Sequence, residues 1–495
     1  MQDSTSTHRS ATTSRPPSWW LLACAVATLV GACALHQPPT ARPKDVPRAA
    51  MPAPATTPPA AATTPTSAPD PLPATSRPNA AGPATPADAS PADASPAATA
   101  APPAPAPAPP KVLPYDEAVL AAAHALFTNA QLANVDLANV DPTSAKVRGG
   151  APAKLPLVID PLIDGHTGMQ SVQTRALGKR LGELVRTTYT RYELQPFSTA
   201  ALARGPLLLI GTFTPVDKDR KAVGERDRYW VCLSLIDLRT GKVVSKGTAF
   251  ASSAGVDISP LPFFADAPAW APDPATEAYI RSCENAKPGD AIDPRYWERI
   301  VAAALINDAI EAYHEGRFED ALDIYRGIAR TPAGDQLRVY NGLYLAAWKL
   351  GRRDEAALAF GRLVDHGLAS KRLGVKFLFR TASTLFVPDA DVAAPYPLWL
   401  AQIASRAGRG GHCLEVSGHT SRTGSEPLNE RLSAMRAQAV QLRLLADTPG
   451  LARRTATIGK GSRENIVGLG TDDARDALDR RVEFKVVDCA VVAAI

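Results

Sequence analysis

The 495-residue chain lacks the short motifs by which most hydrolases and nucleotide enzymes declare themselves. It has no G-x-S-x-G nucleophile elbow, no H-E-x-x-H, no phosphate-binding G-x-x-x-x-G-K-[ST] and no paired-carboxylate motif, so no enzyme class finds support in the residues. It also lacks strong charge of either sign. Lys and Arg number 54 against 49 Asp and Glu, a formal net charge of +5, which excludes the basic field that a nucleic acid partner requires. Only six cysteines are present, and their spacing is not that of a zinc site. The apolar run Trp19 to Ala32 is too short to span a bilayer as a helix. The reading is therefore of a non-enzyme with no cofactor, no metal and no nucleic acid partner.

What the chain does have in excess is proline, and unevenly: 23 of its 46 prolines fall between residues 37 and 112. Runs of Pro, Ala, Thr and Ser there cannot bury a core, which predicts a disordered linker over 34–112 with polyproline character. Fully extended, a stretch of this length approaches ~230 Å, at ~3.1 Å per residue. Before it, Arg9 and Arg15 precede the apolar run, which ends in Val30-Gly31-Ala32-Cys33. Basic start, apolar middle and small-residue end are the three parts of a secretory signal over 1–33. The last four residues resemble the lipobox of bacterial lipoproteins, whose cysteine is lipidated after cleavage. That resemblance implies lipidation at Cys33 and a membrane-held amino terminus, and Ala34 after the cysteine leans toward the outer membrane, periplasmic face. A plain signal peptide or an uncleaved anchor are the alternatives.

Beyond the linker the chain is long enough for a multidomain α/β protein. Residues 113–270 read as a mixed α/β domain. A helix is predicted from Tyr115 to Leu132, a buried strand over 155–162, an amphipathic helix over 171–188 with Val172, Leu177, Leu181, Leu184 and Val185 inward, and strands over 192–197 and 207–213. A hairpin follows over 227–250, turned by Thr240-Gly241. The order resembles the small α/β domains of flagellar-assembly, curli-secretion and penicillin-binding-protein-activator lipoproteins. Within it, Asp160, Asp164 and His166 lie close together after a strand. A metal or acid–base site there competes with a plain turn of satisfied polar groups, which is the favoured reading. The Pro- and Asp-rich stretch 251–295 reads as a connector, so that 271–371 is connector plus helices. In the helices, AYHEGRFEDALDIY (312–325) matches AWKLGRRDEAALAF (347–360), with Gly316/Gly351, Ala321/Ala356 and Tyr325/Phe360 each 35 residues apart. The period resembles that of tetratricopeptide repeats, about 34 residues.

The most informative stretch is CLEVSGHTSRTGSEPLNERLSAMR, 413–436. Alternation over 413–418 predicts a strand. A polar turn follows, and from Pro427 Leu428, Leu432, Met435, Ala439 and Leu442 recur at helical spacing. The turn thus lies at the amino end of a helix, where backbone N–H groups favour anions. The stretch resembles the hallmark of the OmpA-like peptidoglycan-binding domain, roughly GHTDxTGxxxxNxxLSxxRA. VKFLFRTASTLF (375–386) and TDDARDALDRRVEF (471–484) resemble that family's opening and closing segments. The resemblance covers 372–490 and implies a βαβαββ domain that grips the diaminopimelate of the peptidoglycan stem peptide. It places Arg436 on the ligand carboxylate, with Thr420, Asn429 and Arg480 at other contact positions. Ser421 stands where the family has the aspartate that takes the ammonium, and Arg380 where it often has another aspartate. Losing one charge-assisted hydrogen bond costs ~1.5–3 kcal/mol, about 10–100-fold in affinity. With Arg380 and Arg422 added, the pocket reads as unusually cationic. It prefers an amidated or more anionic stem, or has lost the ligand.

Four cysteines remain after Cys24 and Cys33. In an exported chain they imply two disulfides with three possible connectivities, or buried thiols. Cys413 opens one strand and Cys489 ends another of the same domain, which favours Cys413–Cys489 and leaves Cys232–Cys283. Two functional expectations follow: an outer-membrane lipoprotein anchored to peptidoglycan, or an envelope scaffold whose α/β and helical parts dock a protein partner in a wall-synthesis, secretion or motility machine.

Overall fold

A computed structural model of the chain describes residues 111–132, 154–270, 272–467 and 475–494. The signal, Cys33 and the linker up to residue 110 lie outside the described residues, as do 468–474 of the closing segment. Among the described residues no helix is long and apolar enough to cross a membrane.

The first sheet has six strands: β1 (Val112–Leu113), β2 (Leu155–Ile159), β3 (Tyr192–Leu194), β4 (Leu207–Val216), β5 (Arg228–Asp237) and β6 (Lys242–Ser252), in the order β1-β6-β5-β4-β2-β3. β2 runs parallel to β3 and β4, while β4, β5 and β6 form an antiparallel meander. Gly241, at φ 67°, supplies the left-handed residue that the β5–β6 turn requires. Val112, at the end of the expected linker, is already paired with Phe250. Helices α1 (Tyr115–Thr128) and α2 (Val172–Thr187) cover one face, burying Leu126, Leu177 and Leu181 against Leu157, Leu209 and Leu233. Ser171 caps α2, and the capping places Val172 outside rather than inward as its spacing implied.

The expected connector does more than connect. Asp273 caps, and Pro274 begins, helix α3 (Pro274–Glu284). Tyr279 and Cys283 of α3 fill the second face of the sheet against Ile210, Cys232 and Ile236. Ala201, Leu202, Tyr296, Ile300 and Ala304 complete the cover of that face.

Two helical hairpins follow, α4 (Ile300–His314) with α5 (Phe318–Ala329), and α6 (Leu337–Lys349) with α7 (Arg353–Ala369). Gly316 and Gly351, at φ 76° and 74°, make the two turns. Tyr325 lies flat on Gly342, where a Cβ would come within 2.2 Å of its ring. The closing segment then runs β7 (Phe377–Leu378), α8 (Tyr396–Arg409), β8 (Cys413–Gly418), α9 (Glu426–Asp447), β9 (Thr455–Gly459) and β10 (Arg481–Val487), with sheet order β7-β10-β8-β9. Leu414, Val416, Val482 and Phe484 face α8 and α9, and their core is continuous with that of the hairpins. The sheet's other face is polar.

One buried charge sits where these parts meet. Lys376 is 4% exposed, and its Nζ donates to Phe264 O at 3.4 Å. Burial pushes its ammonium down to about 8, against the attraction of Asp266. A lysine whose folded pKa is depressed adds stability only as pH rises from about 8 toward the unfolded value near ~10.4. Lys376→Met should therefore stabilise by about 1–3 kcal/mol at neutral pH and flatten the rise toward pH ~10. Urea midpoints at the two pH values check both.

Candidate functional site

The site is built where β8 hands over to α9. Gly418 ends the strand, and a Cβ there would lie 1.9 Å from Ser433 O. Gly459, ending β9, approaches Glu430 O as closely as 2.5 Å by the same measure. Both strand ends thus need glycine for α9 to sit directly on the sheet. Between them, His419 N donates to Arg481 O and Thr420 N to Gly461 O. Gly424, at φ 93°, turns the loop into the helix. Glu426 in the first helical turn accepts from Ser462 Oγ at 2.6 Å, which ties the 460–467 loop alongside.

The face of α9 that turns inward is not the apolar one. Asn429, Ser433, Arg436, Ala437, Val440 and Leu444 are buried. Leu428, Met435 and Leu442 of the expected core stripe are 58%, 50% and 60% exposed. The reason is local. Close approach to glycine strand ends demands small residues at 433 and 437, and the loop carbonyls demand a donor at 436.

Arg436 is 0% exposed. Its Nε donates to Ser383 O at 2.9 Å, Nη1 to His419 O at 3.1 Å and Nη2 to Arg380 O at 2.8 Å, and it lies over the Phe379 ring at 5.3 Å. The guanidinium pins the segment after β7 to the loop after β8. Thr420, Ser421 and Asn429 are buried. Thr420 Oγ1 and Asn429 Nδ2 have no hydrogen-bond partner among the described residues. Arg480 is buried, and its Nε lies 3.4 Å from Phe379 O. Asp479 accepts from Ile466 N and Val467 N at 2.6 and 2.9 Å.

The cationic rim is not assembled as expected. Arg380 is exposed, and its side chain turns back to Phe386 O at 3.3 Å, so that only its carbonyl reaches the site. Arg422 pairs with Glu225 at 2.7 Å, a residue of the β4–β5 loop of the first sheet. Beside it, Arg226 Nη1 donates to Ile466 O at 3.3 Å. The first sheet thus reaches the rim of the site through its own loop, a contact between residues some 240 positions apart that local patterning does not reveal.

The polar face of the closing sheet carries a network that the sequence reading missed. Glu483 accepts from Trp270 Nε1 at 2.8 Å and from Arg481 at 3.1 and 3.2 Å, and lies 3.1 Å from His419 Nε2. Burial, then Arg481, lower the imidazole pKa of His419. Elsewhere, Asp160 accepts from Tyr296 OH at 2.6 Å, and burial pushes its carboxyl up to about 7. Asp164 Oδ1 accepts from His166 N, Thr167 N and Thr167 Oγ1, a satisfied turn of the favoured kind.

Cys413 and Cys489 are joined in a disulfide that closes 76 residues. The other expected pair stands as two buried thiols, 3.0 Å apart. Each donates to the other residue's carbonyl, at 3.1 and 3.3 Å, so the second disulfide is not formed here.

No protein-family model and no curated protein matches the sequence. Among solved structures, the chain is similar to the peptidoglycan-associated lipoprotein of Burkholderia pseudomallei, at 21% identity over 23% of this chain and 89% of that one, with a TM-score of 0.20. It is similar to the cell wall anchor of the type VI secretion system of Pseudomonas aeruginosa, at 29% identity over 22% and 73% of the two chains, with a TM-score of 0.18. The periplasmic domain of MotB from Helicobacter pylori gives 15% identity over 25% and 82%, with a TM-score of 0.19. At these TM-scores the likenesses do not bear on function.

Proposed function

We propose that the chain is a non-catalytic envelope anchor whose closing segment, 372–490, holds peptidoglycan. The observation that carries this is the β8–loop–α9 junction. It buries Thr420 Oγ1 and Asn429 Nδ2 without protein partners among the described residues, beside the Arg436 guanidinium, in a loop that resembles a stem-peptide-binding motif. The stem's diaminopimelate offers both an ammonium and a carboxylate to such a loop. Cys33 would hold the other end in the outer membrane through lipid, and 34–112 would give the tether its reach. The hairpins 300–369 would serve as a tetratricopeptide-like spacer between the two ends.

Co-sedimentation of residues 109–495 with purified sacculi tests the anchor. Wild type should pellet with the wall, and Ser421→Asp should bind about 10–100-fold more tightly by restoring a carboxylate for the ammonium. Wild type that stays in solution while Ser421→Asp pellets would remove wall anchoring from the natural chain. The second reading, an envelope scaffold, has one observation in its favour: Arg436 has committed Nε, Nη1 and Nη2 to the protein's own carbonyls.

A further inference from the structure

The apolar stripe that α9 turns outward has the form of a docking seam. Leu428, Leu432, Met435, Ala439, Leu442 and Ala446 follow one another at intervals of 4, 3, 4, 3 and 4 residues, the 3.5-residue period by which one helix packs along another. Leu432 and Ala439 are half-buried between the three large exposed side chains. Among the described residues no other helix exposes more than one large apolar side chain. Among the described residues nothing in the packing calls for these side chains, because the opposite face of α9 meets the sheet. A continuous apolar strip about 27 Å long on a solvent face marks a contact surface.

The flanking charges select what covers it. Arg431 lies on one flank and Arg443 on the other, and neither has an acidic partner among the described residues. Glu426 and Glu430 are taken up by Arg463. Asp447, at the far end, is the exposed acid beside the seam. A second copy of α9 fits poorly. Antiparallel pairing that layers Leu428 on Ala446 and Leu432 on Leu442 sets Arg431 against the flank of Gln438 and Leu445, and Arg443 against that of Asn429 and Arg436, so neither meets an acid. Parallel pairing exchanges these flanks and again offers neither arginine an acid. We propose that α9 docks an amphipathic helix of a partner protein, with an apolar seam of heptad period and Asp or Glu on its flanks. The proposal stands apart from wall binding and needs no ligand at the β8–α9 loop.

The test uses residues 109–495 and a labelled helical peptide of about three heptads, with Leu at the seam positions and Glu on both flanks. A twin with Lys on both flanks is the control, and fluorescence anisotropy is the readout. The Glu peptide should bind, more weakly as salt rises, and the Lys twin should bind at least about tenfold more weakly. Met435→Glu and Leu442→Glu should each weaken the Glu peptide by about 30-fold with unchanged thermal midpoints, since both side chains lie at the surface. Absence of binding, equal binding of the two peptides, or binding indifferent to both variants would overturn the proposal. So would a chain that light scattering shows to be a dimer and that Met435→Glu turns into a monomer, which would assign the seam to a second copy.

Discussion

Arg436→Ala should destabilise the chain by about 3–5 kcal/mol, more than any other change in the loop. The side chain is wholly buried and its three donor nitrogens satisfy the carbonyls of Ser383, His419 and Arg380. Truncation leaves those acceptors in a dry site with no replacement, and removes the guanidinium from the Phe379 face. Lysine restores charge but not the planar fork that reaches three carbonyls at once, so Arg436→Lys should fall between. Denaturant unfolding of the three proteins checks the order. The same geometry changes how a binding experiment is interpreted. Sacculus binding will be lost in Arg436→Ala whether or not the arginine touches the stem peptide, because the segment after β7 and the loop after β8 come apart together. A substitution at Ser421, which leaves this strut intact, is the cleaner probe of contact.

Glu483→Gln should cost a comparable amount, about 3–5 kcal/mol, through a different cause. Arg481 has a side chain only 2% exposed, and Glu483 is its counter-charge. The amide keeps the shape and the Trp270 contact but leaves the guanidinium buried beside a neutral group. The pH dependence carries the same signature. Burial alone would raise the Glu483 pKa, yet Arg481 and then His419 hold it well below the usual carboxylate range. A carboxylate depressed in the folded state gives its full stabilisation above the unfolded pKa near ~4.3, and loses it as pH falls toward the lower folded value. Wild type should therefore lose stability steeply below about pH 4, and Glu483→Gln should lose less over the same interval. Thermal midpoints from neutral to acid pH measure both slopes. Equal slopes would mean that the network carries no such linkage.

The parts legible in the sequence were those set by short-range pattern. The strand at 413–418 and the helix expected over 427–446, found at Glu426–Asp447, follow from alternation, a glycine-bearing turn and Pro427 in the first turn. The inward face of α9 was not legible. Apolar spacing pointed to Leu428, Met435 and Leu442, but what the sheet accepts there is decided by Gly418 and Gly459, which admit a helix backbone so closely that only small or hydrogen-bonding residues fit between. Helix α3 was hidden for a related reason. Asp273-Pro274 has the composition of a loop and the chemistry of a helix start, and only the uncovered sheet face above it decides between the two. Arg481 and Glu483, alternating with Val482 and Phe484, have the pattern of a solvent-facing strand. What makes their face an interior is Trp270, 213 residues away from Glu483. Among the candidate contact residues, Arg436, Thr420, Ser421 and Asn429 are all buried, while the side chain of Arg380 is exposed and turns back to Phe386 O.

The most direct measurement is an amide NMR titration of residues 109–495 with two soluble stem tripeptides, one carrying diaminopimelate and one carrying lysine in its place. The two differ by a single carboxylate. If the β8–α9 loop holds the stem, the diaminopimelate peptide will shift the amides of Thr420, Ser421 and Asn429, and the lysine peptide will do so far more weakly. Shifts absent from the loop at saturating peptide, or identical for both peptides, would contradict stem recognition at this site and leave the exposed seam of α9 as the surface through which the closing segment acts.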